Sequence, residues 1–147
     1  RTGAGWFDHP KHTRAGPKTG TVLDLEGCVV IPGLIDLHTH GALGIDTMDA
    51  TPAQFVEWSA FLAKNGVTSF LPTTVTAGKK QIAQAMKNIR AAAVDPALSA
   101  SIEGAHIEGP YISCLHKGCH DPSLIVKPSS ADVLEYRELL GKSLSCG

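Results

Sequence analysis

The sequence predicts an α/β fold in which parallel strands alternate with helices. Three observations carry this. Apolar strand-like runs alternate with stretches of helical periodicity from residue 34 onward. Three of those runs end in polar or turn residues, as buried parallel strands do when chemistry collects at one sheet edge. No GxGxxG follows the first strand, which argues against a dinucleotide-binding sheet.

Residues 1–20 come first. They hold four Gly and two Pro among scattered charges, without a period, and read as a leader or disordered segment; His9 and His12 are expected to be solvated. The chain begins with Arg1 rather than Met, so the true start is expected to lie upstream, and no signal peptide is read. Residues 21–33 read as two short strands: TVLDLEG alternates apolar and polar, and CVVIPG is stopped by Pro32-Gly33. LIDLHTHG then supplies a buried strand over about residues 34–38. A helix over residues 52–64 follows, with Thr51 as N-cap, Pro52 in the first turn and Gln54 completing a capping box. Phe55, Trp58, Phe61 and Leu62 form its apolar stripe, and Asn65-Gly66 ends it. VTSFLPTTV is the next strand. A second helix covers about residues 79–94, with Ile82, Ala85, Met86 and Ile89 aligned. A third strand near residues 101–107 ends at Glu108-Gly109-Pro110, and a long loop leads to a helix near residues 131–140 carrying Val133, Tyr136 and Leu140.

Composition narrows the function. Charged residues are 18% and apolar residues 43%, which suits a well-buried fold better than a surface-rich small protein. A net charge of -1 argues against an electrostatic nucleic-acid binder. No apolar run approaches the roughly 20 residues of a membrane span. Cys28, Cys114, Cys119 and Cys146 lack the density of a disulfide scaffold and are expected as free thiols in a reducing cytoplasm.

The sharpest chemical feature is His38-Thr39-His40 at the end of the first barrel-type strand. Strand residues two apart point the same way, so both imidazoles can reach one cation; Asp36 shares that parity and could orient the site. Two such histidines could equally be satisfied polar groups, and context decides. Small residues Gly41 to Gly44 would let a ligand approach the backbone, and HIEGPY puts Glu108 at the end of the third strand. In a parallel sheet, His40, Thr73-Thr74 and Glu108 then lie on one face, the catalytic face of a (β/α)8 barrel. Two histidines and a carboxylate make a divalent-metal site; the bland reading of Glu108 is a capping or turn carboxylate. KGCHDP places His120 in a loop where substrate groups are expected. Cys114, His116, Cys119 and His120 are too crowded for a zinc-ribbon arrangement.

The segments IPGLIDLHTHGALGIDTMDAT, KNGVTSFLPTTVTA, HIEGPYIS and KGCHDPSLI together resemble the N-acetylglucosamine-6-phosphate deacetylase family of the amidohydrolase superfamily, over about residues 25–140. The resemblance implies a partial (β/α)8 TIM barrel, its first three βα units in residues 34–147, preceded by part of a small β-sandwich in residues 21–33. It implies one or two zinc or iron ions, held by Glu108 and, for a second ion, by His38 and His40, which some members replace with amides. It assigns Cys119, through its backbone, and His120 to the amino-sugar phosphate; Ala or Thr is more usual at the position of Cys119. The implied reaction converts N-acetylglucosamine 6-phosphate to glucosamine 6-phosphate and acetate. The implied catalytic aspartate, later metal histidines and partner-subunit contacts of a homodimer match no residue here, so no catalytic residue is assigned. The alternatives are another amidohydrolase, dihydroorotase-like or adenine-deaminase-like, or a non-catalytic truncated fragment. Taken alone, residues 1–147 are expected to be inactive and poorly stable, with Leu34, Ile35, Phe70 and Leu71 exposed. His120→Ala is expected to weaken substrate use while leaving metal content nearly intact.

Overall fold

The computed structural model describes residues 25–141 and 144–146; of residues 145 and 146 it describes the backbone. The chain divides into two compact units, Arg1–Ile31 and Pro32–Gly147. In the first, the described residues form a turn closed by Cys28 N–H donating to the Leu25 carbonyl (2.9 Å). The expected strand over residues 28–33 does not form, and the one before it lies largely outside the described residues. A strand is a paired ladder; here Val29, Val30 and Ile31 have no partner strand among the described residues and are exposed.

The second unit is built on parallel pairing. β1 (Leu34–Thr39) pairs with β4 (Val67–Pro72), and β4 pairs with β5 (Ser101–Ile102), both in parallel. The third strand breaks at Glu103 and resumes as β6 (Gly104–Ala105), which pairs in parallel with β7 (Ser145–Cys146). That last strand was not expected. Helices α1 (Pro52–Lys64), α2 (Lys79–Ala93) and α3 (Ser130–Leu140) join successive strands. Spatial order therefore follows chain order, as consecutive crossovers dictate.

Local chemistry explains the helices. The capping box of α1 is formed: Gln54 N–H donates to Thr51 Oγ1 (3.4 Å) and Thr51 N–H to Gln54 Oε1 (2.9 Å). Its stripe buries Phe55, Trp58 and Leu62, while Phe61 stays partly exposed. Trp58 stacks on Phe55 and lies against Phe70 of β4, with ring centroids 5.9 and 5.1 Å apart. Phe70 is therefore fully buried, against the expectation that it would be exposed; its face of β4 meets the helix layer rather than the open side. Leu34 and Ile35 are exposed as expected, and with Leu37 they make β1 an exposed edge strand rather than the buried strand its sequence predicts, because no strand pairs with its other side among the described residues. The stripe of α2 buries all four of its expected residues, and in α3 Tyr136 and Leu140 are buried while Val133 is not.

Two irregularities aim the sheet's C-terminal end. Between Asp36 and Thr39 three residue steps of β1 face two of β4 (Phe70 to Pro72), so the strand bulges where the histidines sit. Beyond it, β2 (Gly41–Ala42) and β3 (Ile45–Asp46) form a hairpin. Its two central residues, Leu43 and Gly44, both have positive φ (58° and 78°), the signature of a tight turn matched to strand twist. The segment expected to line a ligand is thus first a hairpin loop.

Candidate metal centre

His38 and His40 leave the end of β1, and Glu108 follows β6, so parallel pairing brings all three to one end of the sheet. Their ligand atoms converge. His38 Nε2 lies 3.2 Å from His40 Nε2 and 3.1 Å from Glu108 Oε2, and His40 Nε2 lies 3.1 Å from the same oxygen. The expected trio is one cluster. Asp36 does not touch an imidazole: its Oδ1 accepts the His38 backbone N–H (3.1 Å) and braces the bulge.

The residues of the trio are held from behind. The His40 carbonyl accepts from Thr47 N–H (2.8 Å) and Thr47 Oγ1 (3.0 Å), and Thr47 is fully buried. His40 Nδ1 faces the Thr73 carbonyl at 3.1 Å. A carbonyl only accepts, so Nδ1 carries a proton, and in the neutral imidazole Nε2 presents a lone pair to the cluster. Thr73 also ties the strand ends together: its Oγ1 accepts Thr39 N–H (2.9 Å) and donates to the Leu71 carbonyl (3.1 Å), while its N–H donates to the Thr39 carbonyl (2.8 Å). The His38 ring rests against His106, with centroids 4.6 Å apart.

The donor set fits a divalent cation. Three atoms at the corners of a triangle with 3.1–3.2 Å edges can all be reached by one ion at about 2.0–2.2 Å. With the imidazoles neutral, a His40 lone pair and a Glu108 carboxylate oxygen converge with at most one hydrogen, that of His38, to share. A cation completes such a site.

The loop after β6 supplies the rest. It turns at residues 117–120, where His120 N–H donates to the Lys117 carbonyl (3.1 Å) and Lys117 Nζ donates to the His120 carbonyl (2.9 Å). Asp121 then caps a short 3-10 turn, Pro122–Leu124, by accepting from Ser123 N–H (2.8 Å). This places His120 Nε2 3.3 Å from Glu108 Oε1, with only 9% of the side chain exposed. Cys119 next to it is an exposed free thiol, as are Cys28 and Cys114, and it does not join the ligand cluster. Burial pushes the Glu108 carboxyl up, but hydrogen bonds from His120 and His38, and their charge when protonated, outweigh this and hold it below the ordinary range. Sequence reasoning placed Thr73 at the strand end without its clamping role and did not see Thr47; no motif announces either.

A second polar knot lies on the same loop. Lys79 Nζ pairs with Asp132 Oδ1 (2.6 Å) and Glu135 Oε2 (2.8 Å), and Tyr111 Oη donates to Asp132 Oδ2 (3.1 Å). It fastens the loop to the first turns of α2 and α3 and contains no metal-type cluster.

The parallel sheet thus brings an HxH pair and a glutamate together at its C-terminal strand ends as one metal-type cluster. The chain belongs to the amidohydrolase family, whose pattern matches residues 29–135. Within it, the chain is similar to N-acetylglucosamine-6-phosphate deacetylase of Bacillus subtilis, at 39% identity over 110 residues, covering 73% of this chain and 28% of that protein. It is also similar to N-acetylgalactosamine-6-phosphate deacetylase of Escherichia coli, at 35% identity over 149 residues, covering 97% of this chain and 39% of that protein. The crystal structure of N-acetylglucosamine-6-phosphate deacetylase from Thermotoga maritima superposes with a TM-score of 0.63 at 38% identity, over 71% of this chain and 28% of that one. The chain thus spans between about a quarter and two-fifths of the length of these relatives. No helix among the described residues is long and apolar enough to cross a membrane.

Proposed function

We propose that this chain supplies metal-binding strand ends to a deacetylase that hydrolyses the acetamide of N-acetylglucosamine 6-phosphate, giving glucosamine 6-phosphate and acetate. The observation that carries the metal half is the convergence of His38, His40 and Glu108 at 3.1–3.2 Å. The substrate half is supported by the named activities of the relatives. The N-acetylgalactosamine relative keeps the epimeric sugar as the nearest competing substrate.

His38, His40 and Glu108 would hold one or two ions, zinc or iron. Such an ion lowers the pKa of water and polarises the amide carbonyl. Glu108 serves as an anchor rather than a base, because both its oxygens are engaged. His40 is kept as a lone-pair donor by the Thr73 carbonyl. His120, and Cys119 through its backbone, are assigned to the sugar phosphate. The parallel strand order supports reading residues 34–147 as the first βα units of a (β/α)8 barrel. Residues 21–33 are assigned to the small β-sandwich. A homodimer, with the partner adding phosphate contacts, follows from the same family likeness, and the free thiols suit a cytoplasmic location.

The test is acetate release by the purified protein that carries this chain, with zinc or iron, from both N-acetylhexosamine 6-phosphates. The expected result is preference for the glucosamine substrate and loss of bound metal and turnover in Glu108→Gln. No acetate from either sugar, with hydrolysis of a cyclic amide or deamination of a purine instead, would overturn the substrate assignment and leave the metal site standing.

A further inference from the structure

The contact between His120 and Glu108 has a definite polarity. Thr76 N–H, on the segment leaving β4, points at His120 Nδ1 from 3.3 Å. A backbone N–H only donates, so Nδ1 must accept. An imidazole with Nδ1 accepting is neutral and carries its single proton on Nε2. That proton faces Glu108 Oε1 at 3.3 Å, and the other carboxylate oxygen faces the two histidines. The two oxygens of Glu108 are therefore divided between a holder and the ligand cluster. The holder is the more shielded partner, with 9% of its side chain exposed against 31% for Glu108.

We infer that His120 is a positioning residue for the metal ligand Glu108, locked as the Nε2–H tautomer by the peptide N–H of Thr76, so that metal affinity depends on the loop carrying residues 117–122. The inference rests on the metal half of the proposed function and not on the substrate. It departs from the expectation that His120→Ala spares metal content.

The geometry separates the two ring nitrogens experimentally. A glutamine amide nitrogen can take the place of Nε2 and keep the donor to Glu108; an asparagine oxygen can take the place of Nδ1, keeping the acceptor for Thr76 but losing the donor. Zinc affinity is measured by competition with a chromophoric chelator for wild type, His120→Gln, His120→Asn and His120→Ala, with thermal melting of the metal-free forms as the folding control. Zinc affinity is expected to fall about 10–100-fold in the Ala and Asn variants and to stay within about threefold of wild type in Gln. In metal-free wild type, a long-range proton–nitrogen spectrum is expected to show the His120 proton on Nε2. Zinc affinity in Ala and Asn equal to wild type, or the proton on Nδ1, overturns the inference while the proposed function survives. Wild-type protein that takes up neither zinc nor iron overturns both. If the Ala variant fails to fold, the Gln–Asn contrast and the tautomer spectrum still decide.

Discussion

Thr73 and Thr74 are adjacent, fully buried threonines with opposite expected responses to valine. The Thr73 hydroxyl accepts Thr39 N–H at 2.9 Å and donates to the Leu71 carbonyl at 3.1 Å. Valine keeps the branched shape and removes both bonds. The Leu71 carbonyl can turn to other donors, but the Thr39 N–H, half-buried where β1 bulges, loses its acceptor. The cost of such an orphaned donor is about 1–3 kcal/mol. The Thr74 hydroxyl has no hydrogen-bond partner among the described residues, so its desolvation is already suffered in the folded state. Thr74→Val is expected to be neutral or to stabilise by up to about 1 kcal/mol. Both variants are compared with wild type by urea unfolding with a chelator present, so that bound metal does not add to stability. The expected order is Thr74→Val at or above wild type and Thr73→Val below it. Equal midpoints for the two variants, or a less stable Thr74→Val, would refute the assignment of Thr73 as the clamp between strand ends.

Three further outcomes are expected. Gly109→Ala would place a Cβ against the Thr76 side chain and backbone at φ +77°, costing about 1–3 kcal/mol from overpacking alone; a melting temperature equal to wild type would contradict it. Phe70→Ala, in the contact with Trp58, is expected to cost about 3–5 kcal/mol in denaturant unfolding, and a loss below about 1 kcal/mol would mean the aromatic layer is not the core. Burial, then the hydrogen bond to Asp132 and its charge, push the Tyr111 phenol up from 10 to about 12. A raised phenol pKa favours the neutral folded form, so its stabilisation is complete below about pH 10 and is lost as pH rises toward about 12. Ultraviolet titration should show this, and Asp132→Asn should bring the Tyr111 midpoint down; an unchanged midpoint would remove Asp132 as a cause.

Much of the sheet and helix order was legible because it rests on local rules. The capping box at Thr51 and Gln54, the stripes of α1 and α2, and the parallel order each follow from periodicity and turn residues. The convergence of His38, His40 and Glu108 was legible because parallel pairing brings the ends of their strands to one side of the sheet. What was not legible depends on partners distant in sequence. Cys28 to Gly33 looks strand-like, but β structure needs a partner, and none is found among the described residues. The β1 bulge is a mismatch between two strands and leaves no mark in either. The tight turn puts Leu43 at positive φ, where its side chain gives no hint of that conformation. The bond from His120 to Glu108 joins two motifs, HIEGPY and KGCHDP, that were assigned to different tasks.

Strand β4 contributes no ligand, yet its exit decides where two protons reside. The Thr73 carbonyl fixes the hydrogen of His40 on Nδ1, and the Thr76 amide fixes that of His120 on Nε2. Both instructions are issued by peptide groups, which every amino acid except proline carries in full. A side-chain scan of residues 73–76 would therefore score this segment for packing and strand clamping and miss its part in protonation. Thr76→Pro deletes the N–H outright, and an ester in place of that peptide bond would erase one hydrogen while leaving all side chains as they were. The protonation pattern of the site is in this sense written in the main chain, out of reach of any side-chain exchange short of proline.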